Sequence, residues 1–162
     1  MEIRLVKAGI KDAEKLWRMQ IRAFQKLFDK YQDTETSPAV EKIDKTVMRL
    51  NQSFTYYYFI EADHAIVGAV RVIDRHEKDT AKRISPMFVL PEYRNKGYAQ
   101  KAMRLAEAEH GSTNWELDTI LQEQGNCHLY EKMGYHQTGK TKVINEKMTL
   151  VFYKKASCLD NK

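Results

Sequence analysis

The sequence predicts an α/β (α+β) fold in which helices flank a central sheet. The first residues alternate between polar and apolar, which is typical of a strand. Two pairs of β-rich segments, each joined by a short polar turn, predict antiparallel hairpins. An apolar segment in the middle of the chain runs through a glycine-bearing turn into a helical pattern. The 162 residues show no linker or repeat, so we expect one domain over 1–155 and a tail over 156–162.

The N-terminal third predicts one strand and two helices. Alternation over 2–7 indicates the strand, and 10–28 has the periodicity of an amphipathic helix. The apolar stripe of that helix comprises Ile10, Ala13, Trp17, Ile21, Phe24 and Phe28. Trp17 and Phe24 suit a pocket wall, although core packing is the commoner role of such a stripe. After a polar loop over 29–36, Ser37-Pro38 predicts a second helix that turns Val40, Ile43, Val47 and Leu50 toward a core.

The middle of the chain predicts a hairpin. Residues 54–61 are rich in aromatic and β-branched side chains, Asp63-His64 suits a turn, and 65–74 supplies the second strand. Gly68 inside that strand indicates a bulge or the close approach of another backbone. A charged connection over 75–82 follows.

Residues 84–99 predict a strand, a turn and the start of a helix. The apolar run ends at Pro91, which has no N–H for a strand ladder, and a helical pattern continues from Tyr98 to a C-cap at Gly111. A helix N-terminus leaves backbone N–H groups unpaired, and Gly97 allows a bulky anion to approach them. Arg94 and Lys96 add positive charge. The junction therefore predicts an anion site at the carboxyl end of the strand.

The C-terminal part predicts a strand, a short helix and a second hairpin. The strand at 115–120 places Glu116 and Asp118 on one face. A short helix within 126–135 is closed by Gly134, and 135–143 and 147–155 form a hairpin.

The segment Arg94-Asn95-Lys96-Gly97-Tyr98-Ala99 resembles the Q/R-x-x-G-x-G/A signature of GCN5-related N-acetyltransferases, the GNAT superfamily. The resemblance implies a mixed, mostly antiparallel sheet whose splayed central strands form a cleft for acetyl-CoA. It also implies that the loop wraps the pyrophosphate and that the preceding strand pairs with the pantetheine arm. The implied cofactor-binding residues are Met87, Phe88, Val89, Arg94, Asn95, Lys96, Gly97, Tyr98 and Ala99. The alternative is an ordinary strand–turn–helix connection with solvated charges.

A second segment, 126–135, resembles the N…-x-x-Y-x-K-x-G-F/Y stretch of the same family. Tyr130 matches the family's tyrosine, whose hydroxyl lies near the CoA sulfur, and Asn126 is one helical turn earlier, where it would face the same ligand. The commonest family pattern has an asparagine seven residues before the tyrosine, where this chain has Glu123. Outside 83–135 the resemblance depends on the order of elements.

The resemblance implies acetyl transfer to a primary amine by direct attack in a ternary complex. The Val89 N–H is the candidate for stabilising the oxyanion, and Tyr130 is the candidate general acid. The pKa of tyrosine, about 10, lies above that of a thiol at about 8.5, so the phenol is protonated at neutral pH. The other role open to Tyr130 is packing against Met133 and the sheet. The general base stays open among Glu61, His76, Glu116, Asp118 and His128, or a water chain replaces it.

Composition limits the classes of binding partner that we expect for this chain. The formal net charge is +5, but basic residues are spread along the chain, so we expect no nucleic-acid partner. No apolar run is long enough to span a bilayer and no signal peptide opens the chain, so we expect no membrane partner. Cys127 and Cys158 fit neither a metal site nor a disulfide framework, so we expect a cytoplasmic protein without a metal.

Several alternatives stay open at the level of sequence. The same fold would also serve a non-catalytic acyl-CoA-binding or regulatory module, and a nucleic-acid-binding protein is the weakest alternative. The sequence does not choose among a polyamine, an aminoglycoside, an amino acid and a protein N-terminus as the acceptor. The two N-terminal helices, which usually help to form the acceptor side of the cleft, correspond to the most variable region of the family. The acyl group is acetyl or longer. A homodimer would be ordinary for the family.

Overall fold

The structure, a computed structural model, describes residues 2–156. Within that range, seven strands form one sheet with four α-helices against it. The strands are β1 Ile3–Lys7, β2 Thr55–Ala62, β3 Ala65–Ile73, β4 Lys82–Val89, β5 Trp115–Ile120, β6 His136–Asn145 and β7 Met148–Lys155. The helices are α1 Ala13–Tyr31, α2 Ile43–Leu50, α3 Tyr98–His110 and α4 Gln124–Lys132. Apart from Ala156, the predicted tail over 156–162 lies outside the described residues.

The sheet has the order β1-β2-β3-β4-β5-β7-β6. All neighbours are antiparallel except β4 and β5, which are parallel. Both predicted hairpins, β2–β3 and β6–β7, are confirmed. The turn between β2 and β3 uses Asp63 and His64, and both have positive φ. The mixed, mostly antiparallel sheet predicted from the sequence is therefore confirmed.

The two parallel strands separate soon after they meet. β4 and β5 pair only at Lys82–Trp115 and Arg83–Glu116 within the described residues. On its other edge β4 carries a bulge, because Ser85 and Pro86 lie opposite Arg71 alone. The Arg71 guanidinium donates a 2.6 Å hydrogen bond to the Ser85 carbonyl, which compensates for the interrupted ladder. The result is the predicted cleft between splayed central strands.

Gly68 of β3 lies where another backbone approaches closely. A Cβ at this position would lie 2.1 Å from the Phe88 carbonyl oxygen and 3.0 Å from the Val89 Cα. Real Cβ atoms do not reach such distances, so only glycine allows β4 to lie where it does. The close approach predicted from the sequence is confirmed.

Two apolar clusters cover opposite faces of the sheet. Tyr58 and Ile60 of β2 contribute to the cluster beneath α3, and Tyr57 and Phe59 contribute to the cluster beneath α1. This alternation is the two-residue period of a strand with both faces buried.

The predicted stripe of α1 is only partly right. Ala13 is buried as predicted, but Ile10 is exposed and Trp17, Ile21, Phe24 and Phe28 are only partly buried. The other buried residues of the helix are Leu16, Met19, Gln20, Ala23 and Tyr31. The helix turns its smaller residues toward the sheet, and Phe24 and Phe28 border a cavity.

The two N-terminal helices also differ from the prediction at their ends. α1 continues to Tyr31, where Gln32 adopts a left-handed conformation and ends it. Ser37 does accept a hydrogen bond from the Ala39 N–H, but it caps only a short 3-10 turn. The chain is extended at Glu41, and α2 starts at Ile43. Glu41 is held in this conformation because its carbonyl accepts from Trp17 Nε1 at 2.8 Å and its carboxylate accepts from Gln20.

Candidate active site

The gap between β4 and β5 opens into a cavity of about 470 Å³. Its walls come from α1, the loop leading to α2, the two diverging strands, α4 and the β6–β7 hairpin. Residues that line it include Phe24, Phe28, Met87, Asp118, Asn126 and Tyr130. The structure therefore brings together predicted site residues of β4 and α4, and it adds an aromatic wall from α1.

The Gly97 loop lies at the N-terminus of α3. Gly97 is the N-cap residue with φ of +80°, a left-handed conformation that favours glycine. Asn95, Lys96 and Gly97 are exposed, and an added Cβ at Gly97 would meet no atom within 4 Å. The residues that lead into α3 are therefore exposed, and a helix N-terminus favours an anion.

Arg94 and Tyr98 of the same loop have side chains that anchor it. The Arg94 guanidinium donates to the Val89 carbonyl at 3.1 Å and to the Ala23 carbonyl at 2.6 Å, which ties the loop to α1. Tyr98 is buried in the core beneath α3, and Ala99 is partly buried. Lys96 is thus the loop cation that extends into solvent.

The end of β4 offers backbone groups to the gap. Leu90 N–H donates to Val67 O at 2.8 Å, toward β3. Successive N–H groups along a strand point to opposite edges, so the Val89 N–H faces the side of β5. The Phe88 side chain packs in the cluster beneath α1, with its ring 5.8 Å from that of Phe24. Met87 lines the cavity itself.

Tyr130 combines packing with access to the cavity. Its ring lies 6.2 Å from the rings of both Tyr135 and Tyr153, on the core cluster that includes Met133. Burial, together with the nearby Asp118 and Cys127, raises the pKa of Tyr130 to about 12. Among residues 2–156, the Tyr130 hydroxyl group has no hydrogen-bond partner. Tyr130 is therefore a neutral phenol at the edge of the cavity.

Of the five side chains left open as general base, Asp118 lines the cavity. It is paired with Arg83, which also lies 3.5 Å from Glu116. Glu61 is paired with Arg4 on β1, and His76 lies beside Tyr56 in a separate cavity near the end of α3. His128 is exposed on α4.

The polar residues on the α1–α2 side of the cavity were not predicted from the sequence. Asp33, Glu41 and Arg49 line this side. Arg49 donates to both carboxylate oxygens of Glu41 at 2.8 and 3.1 Å, and Asp33 accepts hydrogen bonds from the backbone of its own loop. Lys142 of β6 lines the opposite wall. No spacing pattern marks these residues, because they come from three separate segments.

The described residues contain neither a metal-binding cluster nor a membrane-spanning helix. Between residues 2 and 156, no group of three or more histidine, cysteine or carboxylate side chains is placed to hold a metal ion. None of the helices in that range has both the length and the apolar character needed to cross a membrane.

Solved structures share this fold at low sequence identity. The PaiA N-acetyltransferase of Thermoplasma acidophilum in complex with coenzyme A is 15% identical, with a TM-score of 0.73 over 97% of this chain and 100% of its own. The spermidine N-acetyltransferase of Vibrio cholerae in complex with CoA and spermine is 16% identical, with a TM-score of 0.72 over 94% of each chain. The ribosomal-protein-S18-alanine N-acetyltransferase of Escherichia coli is 9% identical, with a TM-score of 0.73 over 99% of each.

Sequence comparisons give the family. No curated protein sequence matches the chain. The family model described as the acetyltransferase (GNAT) domain matches residues 53–137, which is more than half of the chain and spans β4, the Gly97 loop and α4. The chain therefore belongs to the GNAT acetyltransferase family.

Proposed function

We propose that the protein is an N-acetyltransferase that transfers the acetyl group of acetyl-CoA to a primary amine by direct attack in a ternary complex. The observation that supports this most is the placement of Tyr130 on the cavity that opens where β4 and β5 separate. Two of the structures with the same fold are complexes with CoA, which supports acetyl-CoA as the cosubstrate.

In this proposal the cofactor follows the path from the Gly97 loop along β4. The backbone N–H groups of 95–99 and the Lys96 ammonium bind the pyrophosphate. The unpaired edge of β4 over 87–89 hydrogen bonds the pantetheine arm, as an added strand would. Asn126 contacts the same arm from α4, and Arg94 holds the loop in place.

The chemistry then requires one bond to form and one to break. The neutral amine attacks the thioester carbonyl, a C–N bond forms, and the Val89 N–H stabilises the oxyanion. Collapse breaks the C–S bond, and Tyr130 donates its proton to the departing thiolate. The proton lost by the amine returns to Tyr130 through water in the cavity or through Asp118. Because the pKa of Tyr130 is about 12, the phenol is fully protonated when the thiolate leaves.

The test combines an acceptor screen with Tyr130→Phe. CoA thiol release is measured with acetyl-CoA and a panel of primary amines from small amines to peptides. We expect at least one amine to be acetylated and kcat to fall by roughly 10²-fold in Tyr130→Phe, which is typical of a lost general acid.

Tyr135→Phe is the matched control, since its buried hydroxyl has no hydrogen-bond partner among the described residues. It should keep wild-type kcat. A wild type that binds acetyl-CoA and acetylates no amine would instead support the non-catalytic module, and an unchanged kcat in Tyr130→Phe would remove the assigned acid.

A further inference from the structure

Opposite walls of the cavity are hydrogen bonded to each other at the end of α1. The Tyr31 hydroxyl donates to Glu123 Oε2 at 2.5 Å, which joins the last residue of α1 to the residue before α4. The Asn145 amide donates to the Tyr31 carbonyl at 2.9 Å, which joins the same residue to the end of β6. We call these three residues the clasp.

The clasp is largely shielded from solvent. Tyr31 is 4% exposed, and the Glu123 side chain is 24% exposed. Burial favours the neutral form of Glu123, but hydrogen bonds from Lys30 and Tyr31 outweigh it and hold the pKa of the carboxyl below its ordinary value. Glu123 is therefore an anion that accepts two hydrogen bonds from α1, and charge-assisted bonds of this kind are the strong ones.

A second contact crosses between the same walls. Lys142 of β6 donates to Glu35 of the loop after α1 at 3.0 Å, and both residues line the cavity. Both side chains are at least half exposed, so this ion pair contributes little by itself. It shows that the loop and the β6–β7 hairpin lie within reach of each other beside the clasp.

We propose that the acceptor enters the cavity at the end between α1, α4 and the β6–β7 hairpin, away from the Gly97 loop, and that the clasp closes this end. The closure restricts the acceptor to a small-molecule amine and excludes amines on a folded or extended polypeptide. This rests on the proposed function, because it concerns the second substrate of the same cavity. A single drug-sized ligand occupies a pocket of roughly 300–1,000 Å³. The cavity of about 470 Å³ has to take the thioester end of the cofactor as well as the acceptor.

The clasp depends on a position where this chain departs from its family. Glu123 is the residue found where the commonest pattern has an asparagine. A neutral amide there would still accept a hydrogen bond from Tyr31, but it would offer no charge to Lys30. The hydrogen bond from Lys30 is therefore charge-assisted only because Glu123 is a carboxylate.

The experiment measures the binding of two CoA conjugates by calorimetry. Each carries an acetamide link on the CoA sulfur, ending in N-methyl in one and in a six-residue Gly-Ser peptide, attached through its N-terminus, in the other. In the wild type we expect the peptide conjugate to bind at least about tenfold more weakly than the methyl conjugate, a difference of about 1.4 kcal/mol. In Glu123→Ala the peptide conjugate should recover to within about twofold of the methyl conjugate, a difference below about 0.5 kcal/mol.

Two further variants distinguish the loss of the Tyr31–Glu123 hydrogen bond from a general effect of losing a polar contact. Tyr31→Phe keeps the buried ring and loses the bond to Glu123, so it should also admit the peptide conjugate. Arg18→Ala removes an exposed ion pair with Glu14 within α1, outside the residues that line the cavity, and should leave the wild-type preference in place.

Equal binding of both conjugates to the wild type would overturn the proposal while leaving the proposed function standing. A peptide conjugate that stays weak in both Glu123→Ala and Tyr31→Phe would overturn the assignment to the clasp. If neither acetyl-CoA nor the methyl conjugate binds the wild type, the proposed function itself fails, and the proposal fails with it.

Discussion

At the scale of single residues, the environment of Tyr130 decides which form of the phenol is present. Contact with the rings of Tyr135 and Tyr153 removes water from the side chain, and burial favours the neutral form over the charged one. Burial therefore raises the pKa of Tyr130 to about 12. The tyrosine therefore keeps the proton that it donates up to a pH of about 12.

This predicts the shape of the pH profile. We expect kcat to rise between pH 7 and pH 10 as more of the amine becomes neutral, with no descending limb near the ordinary tyrosine pKa of about 10. The sign follows from the raised pKa, because the proton on Tyr130 is lost only as the pH approaches about 12. Steady-state rates at saturating acetyl-CoA and amine check it. A descending limb below pH 10 that Tyr130→Phe removes would contradict the raised pKa of Tyr130.

Residue type alone did not predict the role of every charge in the Gly97 loop. Arg94 and Lys96 both suit a phosphate site by sequence, yet Arg94 donates to the carbonyls of Val89 and Ala23 whereas Lys96 is exposed. The difference depends on the distance between the loop and α1, which the sequence does not contain.

At the scale of elements, the contact between β3 and β4 fixes the shape of the cleft. Gly68 lets the Phe88 carbonyl approach, and the bulge at Ser85 and Pro86 bends β4 where it leaves β5. The backbone edge over 87–89 is therefore placed by a neighbouring strand and not by the residues that form it.

Replacement of Gly68 by alanine should be destabilising. The new Cβ would meet a backbone oxygen at 2.1 Å, so β4 has to shift, and overpacking of this kind costs roughly 1–3 kcal/mol. Urea unfolding measures the change in the free energy of unfolding. Gly125→Ala in α4 is the control, since its Cβ would meet nothing within 4 Å, and alanine favours a helix by about 0.5–1 kcal/mol over glycine. Equal stability of Gly68→Ala and wild type would contradict the close approach.

The elements that the sequence predicts best are those with a strong local pattern. The two hairpins and α3 were predicted from alternation, helical spacing and the cap at Gly111, and the structure confirms all three. The end of α1 and the start of α2 were not predicted correctly. Gln32 ends α1 through its left-handed backbone conformation, and Glu41 is held before α2 by a contact with the distant Gln20. Local signals therefore locate elements but not the tertiary contacts that end them.

At the scale of the whole molecule, the cavity is assembled from segments far apart in the sequence. Tyr31 lines it and is hydrogen bonded to Glu123 and Asn145, each more than 90 residues away in the sequence. The two motif segments, 94–99 and 126–135, could be recognised from sequence because each is continuous. The part of the cavity wall formed by α1, α2 and the β6–β7 hairpin could not be recognised from sequence, since it exists only after these elements have packed around the cleft.

The measurement that tests the account most directly is calorimetric titration of acetyl-CoA into the wild type and Gly97→Glu. Glutamate there adds bulk and negative charge where we place the pyrophosphate, and Gly97→Ala controls for the strain of a side chain at φ of +80°. We expect the wild type to bind, Gly97→Ala to bind more weakly, and Gly97→Glu to lose roughly 10²-fold or more, about 2.7 kcal/mol. No binding by the wild type, or equal binding by wild type and Gly97→Glu, would contradict the proposed cofactor site.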